Sequence, residues 1–206
     1  MSPQPFFAVA LLAIGSAVWT ASPPATALDG AVMRLRLPGG GGERLGTAVL
    51  VDREPLGQGV ALYFLTAASL IDRAAGVHLT TYTDSVQTVG VLRIVADHDA
   101  RTPQPVVFSA PNAGEGFAIL GLDSRDEVII EPQHVTLRSA RRIVGDRRLS
   151  RLVGCLGAPA VAGDGTFGIV TECEGDGPPI VTPLAAVRAL LSQQVPRFGA
   201  WAPLSR

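Results

Sequence analysis

Apolar and polar positions alternate in short runs along most of this chain, with glycine, proline and small polar residues punctuating them every few positions. Ala31 to Leu37 (AVMRLRL) alternates with a period of two, the pattern of a half-buried strand. Pro38 and the glycine run 39–42 break it as a loop. That run is no phosphate cradle, because neither a lysine nor a helix signal follows. Leu45 to Asp52 reads as a second strand, and Val60 to Ile71 as an apolar strand running into a tight turn at Ala67-Ala68. Strands at Val77–Tyr82 and Val86–Ala96 flank a polar Thr83-Asp84-Ser85 turn. Shorter ones are predicted at Val106–Phe108, Gly116–Asp123, Glu127–Ile130, Val135–Arg138, Arg141–Val144 and Leu149–Val153. A hairpin follows, with Ala160-Val161 and Phe167–Thr171 around Gly163-Asp164-Gly165, and then a last strand from Ile180 to Leu184. Ala185 to Gln194 has the composition and apolar spacing of a helix, which Pro196 ends. The pattern predicts an all-β protein with a short C-terminal helix.

Composition narrows this picture. The chain has 206 residues, enough for one medium domain or two small barrels. With 47% hydrophobic residues it can bury a sizeable core, and 23 glycines and 16 prolines suit a turn-rich β-protein. A formal net charge of −1 argues against a dedicated nucleic-acid binder. The basic residues are all arginine, a composition bias rather than a functional signature. Six of them, between Arg138 and Arg151, make one region locally basic, with Asp146 the lone acid. Clustered guanidinium groups there suit a solvated face, or contact with an acidic partner or lipid head group.

Residues 1–27 carry no charged side chain, and Phe6 to Trp19 has the length of an export-signal core, too short to span a bilayer comfortably. Ala25-Thr26-Ala27 supplies a small-x-small cleavage site, so the expectation is an exported (periplasmic or secreted) protein starting near Leu28. The segment departs from the usual signal in having no basic residue at its start. No later apolar run is long enough to cross a membrane. Two cysteines, Cys155 and Cys173, permit one disulfide in an oxidising compartment; the spacing leaves bridged and free forms open. No cofactor motif and no Cys/His cluster is present, so neither a cofactor nor a metal is expected. Asp97-His98-Asp99 places two carboxylates around an imidazole, but consecutive residues of an extended chain point to opposite faces, and the segment reads as a solvated loop. His78, His98 and His134 are scattered.

Four segments in order carry a resemblance: Gly46-Thr47-Ala48, Leu65-Thr66-Ala67-Ala68, Gly116-Phe117-Ala118-Ile119-Leu120, and Gly154-Cys155-Leu156-Gly157-Ala158-Pro159 followed by Gly168-Ile169-Val170. They resemble trypsin-like (chymotrypsin-fold) serine peptidases. In that family a Gly-Thr-Gly/Ala strand precedes Leu-Thr-Ala-Ala-His, then comes Asp-Leu-Ala-Leu-Leu-Arg-Leu, then Gly-Asp-Ser-Gly-Gly-Pro. The resemblance spans about Ala31 to Gln194 and implies a two-barrel fold. On this alignment the histidine base falls at Ser69, the acid at Gly116, and the nucleophilic serine at Leu156. An alternative alignment gives the acid position to Asp97 or Asp99. The backbone N–H groups of Gly154 and Leu156 would remain as a relic of the oxyanion hole. Cys155 stands where the family has an aspartate.

The implied organisation is an export signal over 1–27, a first barrel over 28–123 with its link at Ser124-Arg125-Asp126, a second barrel plus helix over 124–195, and a tail over 196–206. The implied function is an inactive pseudopeptidase that binds a peptide or protein in the former substrate groove, by pairing with an edge strand near Phe167–Cys173 over an apolar floor made by Leu156. Two other readings stand beside it: an active endopeptidase with relocated catalytic residues, and a purely structural envelope protein.

Overall fold

The computed structural model describes residues 31–39, 42–71, 80–83, 88–163, 165–173 and 175–196. The expected export signal over 1–27, His78, the Asp84-Ser85 turn, Asp164 and Trp201 lie outside these residues. The described chain forms two antiparallel sheets. The first contains β1 (Val32–Gly39), β2 (Gly42–Pro55), β3 (Val60–Ala67), β4 (Thr80–Thr83) and β5 (Val89–Ala96), in the order β1-β2-β3-β5-β4. β3 is central, and its uninterrupted apolar run VALYFLTA is buried at every position, as expected of a strand covered on both faces. A one-turn helix, α1 (Ala68–Ile71), follows it directly.

The second sheet contains β6 (Gly116–Leu122), β7 (Val128–His134), β8 (Leu137–Arg138), β9 (Ile143–Val144), β10 (Pro159–Ala162), β11 (Gly165–Glu172) and β12 (Ile180–Pro183). Its order is β7-β6-β10-β11-β12-β9-β8. β7 alternates buried and exposed residues, the mark of a half-buried outer strand. A 3-10 turn (Leu184–Val187) then leads into α2 (Arg188–Gln194), within the span expected for the helix.

The hand-over between sheets differs from expectation. Ser124-Arg125-Asp126 does not link two barrels; it is the turn of the β6–β7 hairpin. There the Asp123 carboxylate accepts the N–H groups of Arg125 at 2.8 Å and Glu127 at 3.0 Å. Because β6 pairs with β7 and β10, it belongs to the second sheet, and the link is the segment 97–115. That segment is held from both sides. The Gln104 N–H donates to the Leu50 carbonyl at 2.8 Å, the Thr166 N–H to the Pro105 carbonyl at 2.8 Å, and the Val107 N–H to the Thr166 carbonyl at 2.9 Å. Val106–Phe108 accordingly makes a single bridge, Val106 to Thr166, rather than a strand. Leu149–Val153 is irregular too. It is fastened by the Arg151 N–H donating to the Glu131 carboxylate at 3.1 Å and the Val153 N–H to the Leu122 carbonyl at 2.9 Å.

Each sheet has its own core. Phe117 and Phe167 meet edge to face at 5.6 Å in the second. The core of the first sheet reaches across to Leu156, Ile169, Leu184, Val187 and Leu191, so the two halves share apolar packing. Val32 of β1 packs with Leu120 and Leu122 of β6. At that end Arg34, nearly buried, pairs with Asp126 and donates to the Asp123 carbonyl.

Candidate functional site

The loop between Val153 and Pro159 is where the two sheets meet most closely, and backbone groups do most of the joining. Gly154 and Gly157 both adopt left-handed backbone, with φ of 72° and 83°. A Cβ on Gly157 would sit 2.0 Å from the Thr47 carbonyl oxygen and 2.2 Å from the Thr66 hydroxyl, so only glycine fits. A Cβ on Gly154 would lie 2.8 Å from the backbone nitrogen of Gly46. Freed to approach, the loop docks on β2. The Thr47 N–H donates to the Leu156 carbonyl at 2.8 Å, and the Thr47 hydroxyl donates to the Gly154 carbonyl at 2.8 Å. The buried Thr66 hydroxyl completes the chain by donating to the Thr47 carbonyl at 2.7 Å. On its other side the loop joins β11: the Gly157 N–H donates to the Val170 carbonyl at 2.8 Å, and the Val170 N–H to the Ala158 carbonyl at 2.9 Å. Gly46-Thr47-Ala48 and Leu65-Thr66-Ala67-Ala68 are therefore parts of one joint.

Ser69 sits exposed on α1, and its carbonyl accepts from the Arg44 guanidinium at 3.2 Å. Leu156 is 8% exposed and packs with the first-sheet core. The side chain that was expected to floor an open groove instead fills the space between the sheets. Cys155 and Cys173 are joined as a disulfide, which ties the loop to the end of β11. A bridged Cys155 has no thiolate and cannot serve as a nucleophile.

Gly116, the acid position of the sequence reading, lies away from the loop. β6 runs antiparallel to β10, with Ile119 opposite Ala160, and the Val153 N–H reaches Leu122. The loop is thus level with the Leu122 end of β6, and Gly116 stands at the opposite end, about 20 Å along the strand. Asp97 and Asp99 fare no better. β5 pairs with β3 from Ala67 opposite Val89 to Val60 opposite Ala96, which carries them beyond the end remote from Ser69, about 23 Å away. Asp99 is occupied with Arg101, whose Nε and Nη2 donate to it at 2.8 and 2.6 Å; those bonds lower its carboxyl pKa although burial opposes them.

Just before the neighbouring strand β5, Thr88 lies against the start of α1: its carbonyl accepts the Ala68 N–H at 3.0 Å. From there the chain reads Thr88-Val89-Gly90-Val91-Leu92-Arg93-Ile94. This matches Asp-Leu-Ala-Leu-Leu-Arg-Leu in pattern, with threonine at the head in place of aspartate. The sequence reading placed the acid at Gly116 because Gly116–Leu122 has a similar apolar outline.

The described histidines do not reach this centre. The His134 ring lies 3.3 Å from the Asp146 carboxylate at the far end of β7, and His98 lies in the 97–99 loop. Among the described residues, no histidine is hydrogen-bonded to a serine hydroxyl, and no group of three His, Cys, Asp or Glu side chains is gathered to hold a metal ion. β11 is interior, paired with β10 on one side and β12 on the other, so its Phe167–Val170 stretch is not a free edge for a peptide. Only its end, at Thr171 to Cys173, lies beyond the pairing with β10.

No protein-family model matches the chain, and no curated protein does. Solved structures do. The inactivated protease paralogue S-I1 of the scabies mite superposes with a TM-score of 0.63 at 12% identity, over 82% of this chain and 95% of that one. A serine endoprotease from Yersinia pestis gives 0.58 at 14% identity, over 84% and 67%. Kallikrein-related peptidase 10 gives 0.53 at 16% identity, over 80% and 94%. The chain has the two-barrel fold of trypsin-like serine proteases, a fold found in peptidases and in inactivated paralogues alike.

Proposed function

We propose that this trypsin-fold chain is an exported, catalytically inactive pseudopeptidase that works by binding a peptide or protein partner. What supports the reading is the set of residues at the joint: on the family resemblance Ser69 stands for the base and Leu156 for the nucleophile, and Thr88, whose carbonyl accepts the Ala68 N–H, heads the apolar strand beside α1 in the place this reading gives to the acid. A serine hydroxyl does not take up a proton near neutral pH as an imidazole does, threonine brings no negative charge to steady an imidazolium, and leucine has no hydroxyl to attack with. The loop N–H groups of Gly154 and Leu156 are backbone donors and outlast the loss of the serine side chain. With Leu156 packed inward, they have no acyl intermediate to stabilise. The bridge between Cys155 and Cys173 suits an oxidising compartment, in keeping with the leader-like residues 1–27. The partner surface in this reading is the face around Ser69 and the Cys173 end of β11, rather than a long open groove.

The test is purification of residues 28–206 followed by assay with protein and ester substrates and a fluorophosphonate probe. The expected result is no turnover and no labelling. Labelling that disappears on substitution of a single serine would overturn the reading.

A further inference from the structure

We propose that the recess between the β8–β9 turn and the segment following β12 is a docking site for an acidic peptide segment of a protein partner. The recess has a volume of about 540 Å³, within the range of binding pockets. Arg138 and Arg141 form one wall, and Phe108, Pro183, Ala185 and Ala186 form much of the remainder; no carboxylate lines it. A tight turn holds that wall in place: the Ser139 N–H donates to the Arg142 carbonyl at 2.8 Å, and the Ser139 hydroxyl accepts the Arg142 N–H at 3.0 Å.

Among the described residues, two of the six clustered arginines are paired with carboxylates, and of the four that are not, Arg138 and Arg141 line the recess. Arg147 is paired with Asp146 at 3.1 Å and Arg148 with Asp176 at 2.5 Å. Arg138 bonds the neutral amide oxygen of Asn112, and Arg141 has no ion-pair partner among the described residues. Glu115, whose charge Arg138 feels, is taken up by the Asn112 N–H at 2.6 Å and the Asn112 amide at 3.1 Å. The guanidinium of Arg188 lies 4.9 Å above the Phe108 ring, adding a third cation beside the recess. Fork-shaped donors above a concave apolar floor match a carboxylate carried beside an apolar side chain. A membrane surface fits less well: the apolar lining is four alanines, a proline and Phe108, whose ring is covered by Arg188, which leaves little to insert into a bilayer. None of the lining residues lies in the 154–159 loop or on α1, so the site stands apart from the question of lost catalysis.

The experiment uses residues 28–206 and a fluorescein-labelled acetyl-Glu-Phe-Glu-Leu-Glu peptide, read by anisotropy. The expected dissociation constant is about 100 µM or tighter. Replacing the three glutamates of the peptide by glutamine, or the protein's Arg138 and Arg141 together by glutamine, is expected to weaken binding about tenfold or more. Ala186→Trp fills the recess without changing its charge and is expected to weaken binding comparably, with thermal unfolding unchanged in each variant. Vesicles of phosphatidylcholine and phosphatidylglycerol form the second arm. No peptide binding, equal binding by the variants, or vesicle binding without peptide binding would each overturn the proposal. None of these results would bear on the absence of hydrolysis.

Discussion

Replacing Leu156 by serine restores the residue type of a nucleophile at the centre of the joint, and the structure says what that substitution does. The leucine side chain is 8% exposed and packed with the first-sheet core. Removing a buried leucine costs about 2–5 kcal/mol once the unfilled space is counted. A hydroxyl placed there without a partner adds about 1 kcal/mol or more of lost hydration. The expected destabilisation is therefore about 3–6 kcal/mol, a large share of the roughly 5–15 kcal/mol that holds an ordinary domain folded. In urea, with a slope of about 2 kcal/mol per molar, the midpoint should fall by about 1.5–3 M. Leu156→Met, which keeps the volume, should cost less than about 1.5 kcal/mol. On the proposed function the serine variant should also gain no hydrolysis, since neither a serine nor a threonine side chain beside it supplies a base or an acid. Equilibrium unfolding followed by tryptophan-independent far-ultraviolet circular dichroism measures the first part, and ester turnover the second. A midpoint shift under about 0.5 M would show that Leu156 does not fill the joint. Saturable ester hydrolysis by this single variant would refute the account of the site.

Gly157→Ala forces a Cβ to 2.0 Å from the Thr47 oxygen at a φ of 83°, and should destabilise by about 3 kcal/mol or more, with amide exchange at Thr47 and Val170 accelerated together. The Cys155–Cys173 bridge spans 18 residues, so the double serine variant should lose about 3 kcal/mol and become insensitive to reductant in unfolding experiments. Burial raises the Asp146 carboxyl pKa, but hydrogen bonds from the Arg147 side chain and the His134 N–H, with the Arg147 charge, outweigh it and bring it to about 2. A depressed carboxyl stabilises above its unfolded pKa and loses that contribution as pH falls through the folded one. Stability should thus decline between about pH 4 and pH 2, and Asp146→Asn should flatten that slope by about 1 kcal/mol after allowance for solvent screening.

Much of this architecture was legible where the signal is local. The all-buried run of β3, the small turn at Ala67-Ala68 and the helix after β12 follow from side-chain pattern alone, and so do most strand positions. What was not legible is register and neighbourhood. Gly116–Leu122 and Thr88–Ile94 are both apolar strands with small residues near the start. Only pairing distinguishes them: one lies against β7 and β10, the other against β3 beside Ser69. The polar turn at Ser124–Asp126 looks like a linker in sequence because a hairpin turn and a linker draw on the same residues. The inward packing of Leu156 also eluded sequence, since an apolar residue in a glycine-rich loop is equally compatible with a groove floor and with a plug.

The joint at the 154–159 loop has a consequence for how such a protein can change. Its bonds to β2 and β11 run through the carbonyls of Gly154, Leu156 and Ala158 and the N–H of Gly157, so on the loop's side the fastening is made by backbone and two glycines, with the Thr47 hydroxyl as the one side-chain donor that reaches them. The side chains at 155 and 156 make none of these hydrogen bonds; they add to stability through the disulfide and through the packing of Leu156. Fastening and chemistry are thus carried by different atoms here: the hydrogen bonds that rivet the two halves belong to the loop's main chain, whatever side chain it presents at position 156.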